Sequence, residues 1–169
     1  MKQFKTLLFA GLLFIGATSF SNAQSKIAHI NTQELIKAMP AMKSAQTELE
    51  KLQKTYEAEI QSQATELQNK MKQYQAEVET KTDEENAKRS QEVQGMQQGI
   101  REFQATAQQD LQKKEFDLLK PITDKAEAAI IKVAKAQGFQ YVLDSSPGAG
   151  VILAEGKDLM ADVKKELGF

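Results

Sequence analysis

From Ala41 to Lys120 the chain has no proline, and across that span its apolar residues fall in two helical stripes. The first is Leu49, Leu52, Tyr56, Ile60, Leu67, Met71, Tyr74 and Val78. Steps of three, four or seven residues place these side chains on one face of a helix. A polar stretch follows from Glu79 to Glu92, broken only by Ala87. The stripe resumes at Val93, Met96, Ile100, Phe103, Ala107, Leu111 and Leu118. Two stripes separated by a solvated tip predict an antiparallel helical hairpin, each arm reaching ~60 Å at 1.5 Å per residue. The spacing assigns residues 41–119 to this arm, with its tip near 79–92. Thr82 with Glu85 forms a capping-box pattern that starts the return helix, which sets the turn near Thr80 to Thr82. Such an object has little interior, so its function has to come from its surface and from what it encloses.

The segments outside the arm differ in character. Lys2 and Lys5, an apolar run from Leu7 to Ile15, and Ser21-Asn22-Ala23 form a secretory signal, residues 1–23, with cleavage expected after Ala23. Export and the absence of cysteine leave a fold without disulfides, thiolate chemistry or thiolate-bound zinc. Without Lys2 and Lys5 the chain carries 20 basic and 23 acidic side chains. That balance is unlike a nucleic-acid-binding domain and disfavours strong adhesion to anionic membranes.

Residues 24–40 and 120–169 are expected to form one discontinuous body. Ile27 to Ile30 is a short apolar strand, and Asn31 with Glu34 opens a short helix, Thr32 to Met39. Pro40 suits the first turn of the arm helix. Pro121 is expected to kink or break the returning helix. Ile122, Ala126, Ala129, Ile130, Val133 and Ala134 then form the apolar face of a new segment, with Gly138 at a left-handed cap. Tyr141 to Leu143 and Val151 to Leu153, around the turn Asp144 to Gly150, predict a β-hairpin. Asp158 caps a last helix, Leu159 to Leu167. So small a sheet buries little area alone. The apolar Ile27, Ile30, Val142, Leu143, Val151, Ile152 and Leu153 therefore point to oligomerisation through the body.

Little in the chain supports catalysis. His29 is the only histidine and sits in a strand with no catalytic partner pattern. Asp144-Ser145-Ser146 is turn chemistry, and no nucleotide-binding loop occurs. The acidic pairs Glu57/Glu59 and Glu77/Glu79, and the run Asp83-Glu84-Glu85, lack a calcium-loop spacing. No catalytic residue, metal ligand or cofactor is assigned. In the arm, Gly95 and Gly99 each cost about 1 kcal/mol relative to alanine. They mark either close helix approach or a flexible outer half, and Pro121 is a second candidate flexible point.

The order and spacing of several segments resemble the Skp/OmpH family of periplasmic chaperones across essentially the whole mature chain. They are Ile27-Ala28-His29-Ile30-Asn31, the arm start at Pro40, the glutamine-rich hairpin, Leu119-Lys120-Pro121-Ile122, Gly138-Phe139-Gln140-Tyr141-Val142-Leu143-Asp144 and Asp158-Leu159-Met160-Ala161-Asp162-Val163. The resemblance implies a mainly α fold with a small β-rich trimerisation body, assembled as a jellyfish-like homotrimer with three arms. It implies an ATP-independent periplasmic holdase for unfolded outer-membrane β-barrel proteins, held between the arms. Trimer contacts would fall on Ile27–Asn31, Tyr141–Asp144 and Val151–Ala154. Well-known members are strongly basic, whereas these arms are slightly acidic. That weighs against a membrane- or lipopolysaccharide-binding side, and no residue is assigned to one. Met42, Met71, Tyr74, Met96 and Ile100 are the expected client-facing residues, because thioethers and aromatics suit varied partners. The competing readings are a periplasmic coiled-coil scaffold or spacer, an efflux-pump adaptor (for which the body is too short) and, last, an enzyme.

Overall fold

The structure is a computed structural model that describes residues 26–169. The signal-sequence reading of residues 1–23 lies outside the described residues. The element order is β1 (Ile27–Ile30), α1 (Thr32–Ala38), α2 (Pro40–Glu77), a 3-10 turn (Val78–Thr80), α3 (Asp83–Ala136), β2 (Tyr141–Asp144), β3 (Lys157–Asp158) and α4 (Met160–Leu167).

The arm forms as its apolar spacing predicts. Helix α2 has 38 residues, hence a length of about 57 Å, and begins with Pro40 in its first turn. The turn falls where Thr82 and Glu85 predict it, with helix α3 starting at Asp83 inside the polar stretch 79–92. There the Thr82 hydroxyl accepts the Glu85 N–H at 3.2 Å, while the Glu85 carboxylate accepts the Thr82 N–H at 3.1 Å. The Asn86 side-chain amide donates to the Val78 carbonyl at 2.9 Å and closes the tip.

Proline 121 does not break the returning helix, which runs unbroken from Asp83 to Ala136. The proline is exposed, so its ring meets solvent. The Thr123 hydroxyl bonds the Leu119 and Lys120 carbonyls beside it, at 3.2 and 2.8 Å. Beyond it the same helix buries Ile122, Ala126, Ala129 and Val133 against the body. At about 1.5–3 kcal/mol for each large side chain, that burial outweighs a cost of ~3 kcal/mol for the proline. Gly138, at φ +72°, then ends α3 in the left-handed conformation.

The body is a second correction. Val151 to Leu153 is not a strand, and β2 is not half of a hairpin. The sheet has the order β2-β1-β3, and both neighbours of β1 run parallel to it. Pairing aligns Ile27 with Tyr141 and His29 with Leu143. The parallel arrangement makes the N-terminal strand the centre of the sheet. It also turns residues 145–156 into a crossover, since parallel strands need a connection of about a dozen residues. One sheet face packs on the helices: Ala28 and Ile30 join Leu35, Met39, Ala126, Val133, Leu159 and Val163 in the core. The last helix starts one residue later than expected, with the Asp158 carboxylate accepting the Met160 N–H at 2.8 Å.

Candidate functional site

The two strand termini that meet in the body are tied by a polar cluster. The Thr32 hydroxyl donates to Asp144 Oδ2 at 2.7 Å, and the Thr32 and Ser146 N–H groups reach Oδ1 at 3.3 and 2.9 Å. The buried Ser146 hydroxyl lies 2.6 Å from Asp144 and 2.9 Å from Asn31, and it accepts the Gln33 N–H at 3.1 Å. Burial alone would raise the Asp144 pKa, but the bonds from Ser146 and Thr32 outweigh it and hold the pKa at about 2. His29 Nδ1 sits 3.2 Å from Ser145 Oγ. The cluster fastens the chain ends, and Asp144 makes no hydrogen bond to His29 that would orient it for catalysis. Among the described residues no group of three His, Cys, Asp or Glu side chains could hold a metal ion.

The sheet face opposite the core is bare. Ile27 is 48% exposed, Tyr141 59% and Leu143 43%, three large apolar groups on one small surface. The crossover also presents Ile152 and Leu153 to solvent, with Val151 half-buried. The structure thus divides the residues proposed for oligomer contact. Ile27, Leu143, Ile152 and Leu153 are open, whereas Ile30 is enclosed in its own core and Val142 packs against that core. Tyr141, inside the segment Tyr141–Asp144 to which the family resemblance assigns trimer contacts, is open as well. An apolar groove of about 560 Å³ flanks β2, walled by Ile36, Ile130, Ile131, Phe139 and Val142.

Along the arm, only Ala45 and Ala107 of residues 41–119 are fully buried. Much of the cross-arm hold is polar. Near the root, Lys114 pairs with Glu48 at 2.6 Å and the Tyr56 hydroxyl donates to Asp110 at 2.7 Å. The Tyr56 ring also meets Phe103 edge-on at 5.9 Å. Near the tip, Lys70 and the Tyr74 hydroxyl both bond the Glu92 carboxylate, and these bonds hold its pKa below the usual carboxylate range. Arg89 pairs with Glu77 and lies 4.6 Å over the Tyr74 ring.

The expected client-facing residues are spread over different settings. Met71 is exposed, Tyr74 is engaged in the tip network, and Met96 and Ile100 are half-buried. Met42 packs beside the body core. Phe116, 64% exposed, is a further large apolar group on the arm, and it lies off the helical stripe Val93 to Leu118. Gly95 and Gly99 are exposed, and a Cβ on either would meet nothing within 4 Å. Close helix approach therefore does not explain them. No helix among the described residues is long and apolar enough to cross a membrane.

Comparison with known proteins adds two findings. The model of a family described as outer membrane protein (OmpH-like) matches residues 26–167. Among solved structures, a Caulobacter crescentus CB15 protein described as an OmpH-like outer membrane chaperone superposes with a TM-score of 0.75 at 16% sequence identity. The match covers 87% of this chain and 86% of that one. No curated protein matches the sequence.

Proposed function

This chain belongs to the OmpH-like outer membrane protein family, and on that premise we propose that it is a periplasmic holdase chaperone. It binds unfolded outer-membrane β-barrel proteins between its arms and keeps them from aggregating in transit, without ATP. The observation that carries this reading is an arm of about 57 Å whose only fully buried residues are two alanines. Most of its other residues are exposed, and the rest are half-buried along the seam between the helices. Polar groups with a few open apolar ones, Met71, Val78 and Phe116, give many weak contacts, and enclosure raises their effective concentration. Binding the unfolded state withholds apolar segments and strand edges from other chains.

The bare face of Ile27, Tyr141 and Leu143, with Ile152 and Leu153, supports assembly of the bodies into a trimer that gathers three arms round one space. Division into residues 24–40 with 120–169 as body and 41–119 as arm fits this role. The helix through Pro121 would transmit the orientation of the body to the arm root. A spacer role would call for uniformly stiff arms, and two exposed glycines in α3 speak against that. The test is light scattering of a denatured porin diluted with and without the mature protein. Suppressed aggregation at one trimer per porin is the expected result; unaltered aggregation there contradicts the proposal.

A further inference from the structure

The cross-arm ties are gathered at two places. Toward the root are Glu48–Lys114, Tyr56–Asp110 and Tyr56–Phe103. Toward the tip are Lys70–Glu92, Tyr74–Glu92, Glu77–Arg89, Arg89 over Tyr74 and Asn86–Val78. Between Tyr56 and Lys70 on α2, and between Glu92 and Phe103 on α3, no side-chain hydrogen bond or ion pair joins the helices among the described residues. That span is about 21 Å of helix. Its seam consists of half-buried side chains, chiefly Ile60, Leu67, Met96 and Ile100. Helix α3 places Gly95 and Gly99 there, on its exposed side with open space around them. The least cross-linked stretch of the arm thus coincides with its least helix-favouring residues.

We infer that each arm carries a hinge between these two sets of ties, and that residues 70–92 swing as one clasped unit on it. The farthest part of the arm is then firmer than its middle, the reverse of an arm that frays from its free end. Bending there would move the tips while the body and the arm roots keep their geometry. The hinge stands on the geometry of one arm. Its use in fitting clients of different size rests on the chaperone reading, so the test is made without client.

Hydrogen exchange of the full mature protein separates these possibilities. Peptides from 57–69 and 93–102 are expected to exchange faster than those from the tip, 70–92. The double variant Gly95→Ala with Gly99→Ala has room for both methyl groups and is expected to slow exchange in 93–102 by roughly tenfold. Glu92→Gln should speed exchange in the tip and leave the root unchanged. A tip that exchanges fastest, with rates falling smoothly toward the body, would overturn the inference. So would alanine variants that exchange like the parent, or a tip insensitive to Glu92→Gln.

Discussion

The Asp144 carboxylate accepts the Thr32 hydroxyl at 2.7 Å, across 112 residues of chain. That contact joins the end of β2 to the start of α1 and so fastens the two distant segments that build the body. With a folded pKa of about 2 against an ordinary 3.8, the ionised form is the one the fold favours. Its contribution is complete above pH ~4 and fades as the pH falls through 3.8 toward 2. For this partly solvated group it amounts to about 1–2 kcal/mol. Asp144→Asn is expected to cost about 1–3 kcal/mol, since an amide cannot accept every bond the carboxylate does. It should also flatten the acid limb of stability. Urea unfolding from pH 2 to 6, parent against variant, checks both.

Leu35 and Leu159 are fully enclosed by elements from opposite ends of the chain. Leu35→Ala or Leu159→Ala is expected to lower stability by about 2–5 kcal/mol through loss of burial and the cavity left behind. Chemical denaturation followed by circular dichroism measures it.

Leu143 lies on the bare sheet face, where the isolated chain tolerates a charge. Leu143→Arg is expected to keep the helical content and to dissociate the proposed trimer, because a buried guanidinium without a partner is costly at an interface. Sedimentation velocity distinguishes the two states.

Met71 and Phe116 are exposed, so Met71→Gln with Phe116→Gln should leave unfolding unchanged. Loss of two partly buried apolar contacts is expected to weaken binding of an unfolded barrel protein by about tenfold. Fluorescence titration of a labelled client checks this.

Pro121 is exposed inside a continuous helix. Pro121→Ala is expected to stabilise the protein by about 1–3 kcal/mol, as it restores a backbone donor and removes a poor helix former. A fall in stability would mean that the proline shapes the helix in a way the packing needs.

Periodicity made the arm legible from sequence: Leu49 to Val78 and Val93 to Leu118 alternate as one helix face, and Thr82 with Glu85 marks the turn. The end signals at Pro40, Gly138 and Asp158 were equally local and equally readable. Two features depended on long-range packing and were not. Pro121 favours a break by local rule, yet Ile122, Ala126 and Val133 bind the following turns to the body and carry the helix through. Val151-Ile152-Leu153 has the composition of a strand, but the position beside β1 goes to Lys157 and Asp158, through backbone pairing that ignores side-chain character. Of the candidate surfaces, the apolar body residues were readable as a set. Strand alternation sets Ile27 and Ile30 on opposite faces, but which face becomes core is decided by the helices that pack on Ala28 and Ile30.

The most direct test of the account is native mass spectrometry of the mature protein mixed with an unfolded β-barrel outer-membrane protein, without nucleotide. Three copies of this chain with one barrel chain bound is the predicted species. A protein that stays single-copy and leaves the barrel chain to aggregate would contradict it.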